Sequence, residues 1–283
     1  MTDTPPPPSG PPGADTPPPP ANPPGADTPP PPAEPSAGAA LPGPFVAVVS
    51  YTLRACLPMR RWFGVLLPCA GALLFGWLTQ LDAGSDAAAF ADVAEGGLFR
   101  LILPLTCLII GDAVLGADVR AGTFPLTWLS PVPFRVIVAG RWLGGWLVAL
   151  VTLVPAMALS AVVAGVPDAA GPMAIAAATG AAAYIALFLM IGVLVRRSAL
   201  WSLAVVLLGE WLLGTPLTGI ALVSPLWEAQ QVFAGLWEDG GLIERRGMPS
   251  GGGAVVRLAV IALVTLGLAT WRVAHMRPVG GDD

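Results

Sequence analysis

Residues 117–141 read ADVRAGTFPLTWLSPVPFRVIVAGR, a charged, proline-broken stretch wedged between two long apolar ones. Asp118, Arg120, Arg135 and Arg141 lie in it, and a charge near the centre of a bilayer costs about 2.5 to 3.5 kcal/mol on insertion scales. The stretch is therefore expected to form an elbow in water or among headgroups, with the flanking apolar segments crossing the bilayer. Composition points the same way. The chain is 55% hydrophobic and 11% charged, with a mean hydropathy of +0.73, whereas soluble domains carry about 25% charged residues. The class expected is an all-α integral membrane protein.

Spans follow from the gaps between charges. Residues 62–81 are uncharged and long enough for a hydrocarbon core about 30 Å thick at about 1.5 Å per helical residue. A second span is expected from about Gly97 to Ala117, with Asp112 near its end. A third and a fourth fill the uncharged runs 142–167 and 169–195, joined by a turn at Pro167 and Gly171. A fifth covers about Ser198 to Val223, interrupted by Glu210 and Pro216, and a sixth about Ala254 to Trp271, where Arg257 can snorkel outward. Six spans are expected over residues 44–275.

Orientation follows from arginine placement. With the N-terminus in the cytoplasm, Arg54, Arg60, Arg61, Arg120, Arg135, Arg141, Arg196, Arg197, Arg272 and Arg277 fall inside, and Arg100, Arg245, Arg246 and Arg257 outside. Cytoplasmic loops carry the excess of basic residues, so both termini and the elbow are expected in the cytoplasm of a cell whose plasma (inner) membrane holds the protein. Two flanking segments read as amphipathic. Residues 45–61 suit either a helix lying in the inner interface or an extension of the first span. Residues 226–243 place Leu226, Ala229, Phe233, Leu236 and Trp237 on one helical face, the pattern of an outer interfacial or re-entrant hairpin between the fifth and sixth spans.

Residues 1–43 form a separate segment. TPPPPSGPPGAD (residues 4–15) recurs as TPPPPANPPGAD (16–27) and decays into TPPPPAEPSAGA (28–39). Such a sequence cannot bury a core and is expected to be a disordered cytoplasmic tail, extended as polyproline II, serving as a spacer or as a docking tether. It lacks the basic start and apolar centre of an export signal. Residues 276–283 are expected to be a short cytoplasmic tail.

Several chemistries are excluded by residue usage. The basic residues are fourteen arginines with no lysine, which removes a P-loop lysine, a Schiff base and a lysine general base. No basic stripe marks a nucleic-acid partner. Cys56, Cys69 and Cys107 sit in or beside apolar runs without paired spacing and read as core residues. The lone histidine, His275, leaves neither a catalytic triad nor a histidine-ligated metal site in view. No catalytic residue and no metal ligand is expected in this chain. Glu210, separated from Arg197 by twelve residues, falls near mid-membrane, where a carboxylate is paired, neutralised or turned to a wet cavity. It is a candidate for the substrate pathway or a subunit interface, or a carboxyl hydrogen-bonded to a neighbouring helix.

The elbow also carries a family likeness. DVRAGT, then LSPVPFR, then GR at the start of the third span resembles the corresponding loop of permease subunits of type-2 ATP-binding-cassette (ABC) transporters. There an acidic residue, Gly-Thr, Ser-Pro-Val, a basic residue and Gly with a basic residue recur in this order. The counterparts are Asp118, Gly122, Thr123, Ser130, Pro131, Val132, Arg135, Gly140 and Arg141, with aspartate and arginine where glutamate and lysine are commoner. Pro125 departs from the pattern but fits the first turn after a Thr123 cap.

The resemblance implies a permease, an exporter by its class, working as a dimer with a second copy or a paralogue. Its power would come from a separate ABC ATPase that binds ATP and Mg, with no cofactor in this chain. A short helix of the elbow would dock on that ATPase, with Gly122 permitting the turn, Trp128 and Leu129 forming the apolar docking face, and Pro131 and Pro133 ending the helix. Arg120, Arg135 and Arg141 would supply charge, the last two anchoring the joint to headgroups or an acidic ATPase rim. Two other classes stay open: an ion-coupled carrier using Glu210, and an intramembrane lipid-modifying enzyme using Asp112 and Asp118 as a metal pair.

Overall fold

Five stretches form helices long and apolar enough to cross a membrane, 63–81, 87–114, 134–163, 167–194 and 252–275, in a computed structural model of the chain. This is the make-up of a multi-pass, all-α membrane protein. The structure describes residues 43–56, 59–83, 86–116, 132–195, 198–213, 218–243 and 247–275. The proline-rich tail, the segment 117–131 and residues 276–283 lie outside them.

Helix α1 covers Pro44–Cys56 and α2 covers Met59–Ala83; residues 57–58, on which the two readings of the 45–61 stretch turn, lie outside the described residues. The second span, α3, is longer than the charge gaps suggest. It begins at Ala87, where Asp86 caps the first turn by accepting the Ala88 N–H at 3.0 Å, and takes Asp92, Glu95 and Arg100 into the helix. It runs as α-helix over Ala87–Val93, π-helix over Ala94–Ile102, α-helix over Leu103–Gly111 and π-helix over Asp112–Gly116. Pro104 accounts for the first wide stretch. It cannot donate to the carbonyl four residues back and its ring crowds that carbonyl, so the helix opens by one residue and the Leu103 N–H reaches Leu98 O instead.

Helix α4 (Phe134–Val163) starts on the extended Pro133, takes Arg135 and Arg141 into its first two turns, and contains Pro155. Its end is a Schellman turn on Gly165, at φ +82°: Val166 N–H reaches Ala161 O at 3.0 Å and Gly165 N–H reaches Val162 O at 3.1 Å. The turn glycine is thus Gly165 rather than Gly171. A 3-10 turn, Pro167–Ala169, leads into α5 (Ala170–Leu194). Next, α6 runs as α-helix over Ser198–Ala204 and π-helix over Val205–Leu213. After a single turn at Thr218–Ala221 come α7 (Pro225–Leu236), a 3-10 turn at Gly240–Leu242, and α8 (Gly252–His275).

Helix α5 is the hub and packs against α3, α4, α7 and α8. Its small residues make that possible, since Ala176, Ala177, Gly180, Ala181 and Ala183 are all buried and let four neighbours approach at once. Trp142 and Trp146 lock α4 to α5. Their rings stack 5.6 Å apart, and each indole N–H donates across at 2.9 Å, to Ala182 O and Ala178 O. The rim faces outward with apolar side chains such as Phe63, Leu67 and Leu81 on α2 and Leu263 on α8, a surface suited to hydrocarbon rather than water.

Candidate functional site

The bundle has two ends with different chemistry. At the elbow end the 117–131 segment leaves α3 and returns to α4, and α1 lies against the first turns of α4. A glycine stripe seats α1 there. A Cβ at Gly140 would meet Val48 Cγ1 at 2.8 Å, and one at Gly144 would meet Thr52 Cβ at 2.7 Å. Gly145 turns the other way and seats Val114 Cγ2 and Ile185 Cγ2. Between these contacts sits Arg141, 4% exposed. Its Nη1 donates to Val114 O at 2.7 Å, and its guanidinium carbon lies 5.7 Å from the Tyr51 ring centroid.

Arg141 is therefore turned into the protein, not toward headgroups or an outside partner as its place in the loop suggests. The reason is local. The Val114 carbonyl of the π-helical stretch Asp112–Gly116 faces Arg141 and accepts from its Nη1, and a buried guanidinium needs such a hydrogen-bond partner. Arg135, six residues earlier on α4, is the other elbow arginine among the described residues. Asp118, Arg120, Gly122, Thr123, Trp128, Leu129, Ser130 and Pro131 lie outside them. Asp112 opens the π-helical end of α3 and is half-buried. Glu210 falls in the π-helical part of α6, and its side chain lies outside what is described.

At the opposite end, α7 is buried on every side rather than along one stripe. Each residue from Pro225 to Ala234 is buried, including Glu228, Gln230 and Gln231. Trp227 and Trp237 are buried in the bundle. Trp237 Nε1 donates to Asp168 Oδ2 at 2.9 Å, and Trp227 lies under Arg100 at 5.4 Å. Phe233 meets Phe90, Phe99 and Trp237 at centroid distances of 6.5, 5.6 and 5.1 Å. Arg100 in turn pairs with Glu95 at 2.5 Å, and Gln230 Nε2 donates to Glu95 O at 3.4 Å.

Glu228 is the residue that reading the sequence missed. Its side chain is 0% exposed, and it accepts from Arg257 Nη1 of α8 at 3.3 Å while Oε2 has no hydrogen-bond partner among the described residues. Burial pushes its carboxyl above the ordinary value of 4.5, and the hydrogen bond and charge of Arg257 pull it back. The available signal was an acid inside a helix of apolar and amide residues, with an arginine standing in the apolar run of α8. Among the described residues no group of three or more His, Cys, Asp and Glu could hold a metal ion.

No family model matches the sequence, and no curated protein matches it either.

Proposed function

We propose that this chain is the membrane permease subunit of a type-2 ABC transporter, an exporter driven by a separate ATPase that binds ATP and Mg. One observation carries the reading. The family's acidic, Gly-Thr, Ser-Pro-Val and Gly-Arg residues follow in order over residues 118–141, from the charged segment between the second and third of the long apolar helices into the start of the third. Trp128 and Leu129 would enter a groove on the ATPase, and closure of two ATPases would act through the elbow on α3 and α4. On this reading α6, with the turn that follows it, makes the fifth of six spans, and α7 belongs to the outer side. Both termini and the elbow face the cytoplasm, and the dimer partner is a second copy or a paralogue.

The test is pull-down of the full-length chain from native membranes. An ABC ATPase should be retained, and Trp128→Ala or Arg120→Glu should reduce its retention about tenfold or more, because docking energy concentrates in a few buried side chains. Insertion should be unchanged. Cysteines placed at Ser250 and Gly281 should label from opposite sides of the membrane. Same-side labelling, or a wild-type chain that retains no ATPase, overturns the reading.

An ion-coupled carrier is the second reading, favoured by the position of Glu210 in a π-helical stretch, since such stretches concentrate at functional sites. It requires Glu210→Gln to abolish an ion-dependent flux in vesicles free of any ATPase. Under the permease reading such vesicles show no flux to lose.

A further inference from the structure

Three elements at the elbow end converge on one side chain. Val114 lies three residues before the 117–131 segment begins and Arg141 ten residues after it ends, so the 2.7 Å bond from Arg141 Nη1 to Val114 O closes the segment's two ends without passing through it. The third element is α1, which meets the guanidinium through Tyr51 and is notched into α4 through Gly140 and Gly144 on either side of Arg141. Packing on both sides thus fixes the direction in which the arginine points.

We propose that Arg141 is a positioning residue of the transport cycle, a clamp that makes α1, the end of α3 and the start of α4 one moving body. The inference rests on the transport reading above. The last described stretch of α3 is π-helical over Asp112–Gly116, a rarer and wider form than the α-helix. A pull on an unbraced end would be spent in unwinding that turn. Held at Val114, the turn passes displacement on, because coupling travels through rigid, packed elements. Arginine suits the task for a geometric reason: its planar fork donates along its edge to the carbonyl while its face meets the Tyr51 ring. Lysine offers the charge and a donor but no plane. Helix α1 is accordingly part of the transmission and not a passive interfacial anchor.

The experiment uses the full-length chain with its co-purified ATPase in nanodiscs, as wild type, Arg141→Gln and Arg141→Lys. Backbone amide exchange is followed with and without ATP and vanadate. In the wild type, trapping the ATPase should change exchange over both 112–116 and 44–56. In Arg141→Gln the response over 44–56 should fall about fivefold or more, with the ATPase still bound and exchange in α5 and α8 unchanged; Arg141→Lys should restore part of it. An Arg141→Gln response equal to wild type over 44–56 overturns the clamp. Faster exchange throughout α5 and α8 in both variants also overturns it, because Arg141 would then serve only folding. A wild-type chain that binds no ATPase removes the transport reading and the cycle role together, whereas a bound ATPase with an unaltered Arg141→Gln response removes the role of Arg141 alone.

Discussion

At the elbow end a guanidinium reaches a main-chain carbonyl, Arg141 to Val114, and a helix lies in glycine notches. At the α7 end the charges meet each other, Arg257 with Glu228 and Arg100 with Glu95, around a cluster of aromatic rings. In the first, the Arg141 Nη1 bond goes to a main-chain carbonyl, which does not titrate. The second contains a buried carboxylate whose charge is opposed by desolvation. The elbow end should therefore respond to steric change and to its arginine, and the α7 end to steric change and to protons.

The largest expected effect is at the α7 end. A Cβ on Gly235 would run into the backbone of Gly251, which lies at φ +59° and donates its N–H to Gln231 O at 2.9 Å. A main chain held at both points cannot yield as a side chain does, so Gly235→Ala should cost about 3 kcal/mol, read as thermal unfolding by tryptophan fluorescence in detergent. An unchanged midpoint would mean that α7 is not seated on the turn before α8.

Gly144→Val should cost less, about 1 to 2 kcal/mol, since the obstacle is the Thr52 side chain and α1 can lift away. Limited trypsinolysis should then cut faster after Arg54, the exposed arginine of α1, while the unfolding midpoint of the rest moves little. If cleavage is unchanged, the glycine stripe does not hold α1.

The third effect is a dependence on pH confined to the α7 end. Burial raises the folded-state value of Glu228 above 4.5, so the folded protein holds this proton more tightly than the unfolded chain does. The associated stability is fully present below about 4.5 and is lost as pH rises through the raised value. Glu228→Gln should flatten this part of the profile of unfolding midpoint against pH. Arg257→Met removes the group that lowers the value and should shift the falling limb to higher pH. Arg141→Gln should leave the slope in this window unchanged, and a change equal to that of Glu228→Gln would end the contrast between the two ends.

The smallest effect is expected outside both ends. Deleting residues 2–40 should leave insertion and the unfolding midpoint as in the full chain, because a proline-rich segment that buries no core adds little stability. On the proposed permease reading, retention of an ATPase should also be unchanged, and its loss would make the tail a docking element.

The apolar helices were legible because membrane crossing is a one-dimensional constraint. About twenty uncharged residues in a row have few other uses, and charge gaps placed 62–81, 142–167 and 169–195 close to where the helices lie. They failed where a charge lies within a helix. The second span starts at Ala87 and not near Gly97, because a cap at Asp86 and the pairing of Glu95 with Arg100 make that turn viable. The third starts at Phe134 because Arg141 finds a carbonyl. The hydrophobic face assigned to residues 226–237 was real in Leu226, Ala229 and Phe233, but periodicity could not reveal that the polar side of α7 is covered as well.

The sequence by itself determined an all-α chain of membrane-crossing helices, a charged segment between the second and third of them, and a proline-rich segment too poor in apolar residues to bury a core. These depend on composition along a line. Only the tertiary structure decided that Arg141 faces inward, that Gly140 and Gly144 receive α1, and that Glu228 is buried against Arg257. Each of these depends on which distant surface arrives, and the same arginine, glycine or glutamate serves equally well exposed until a carbonyl, a threonine or a guanidinium is packed against it.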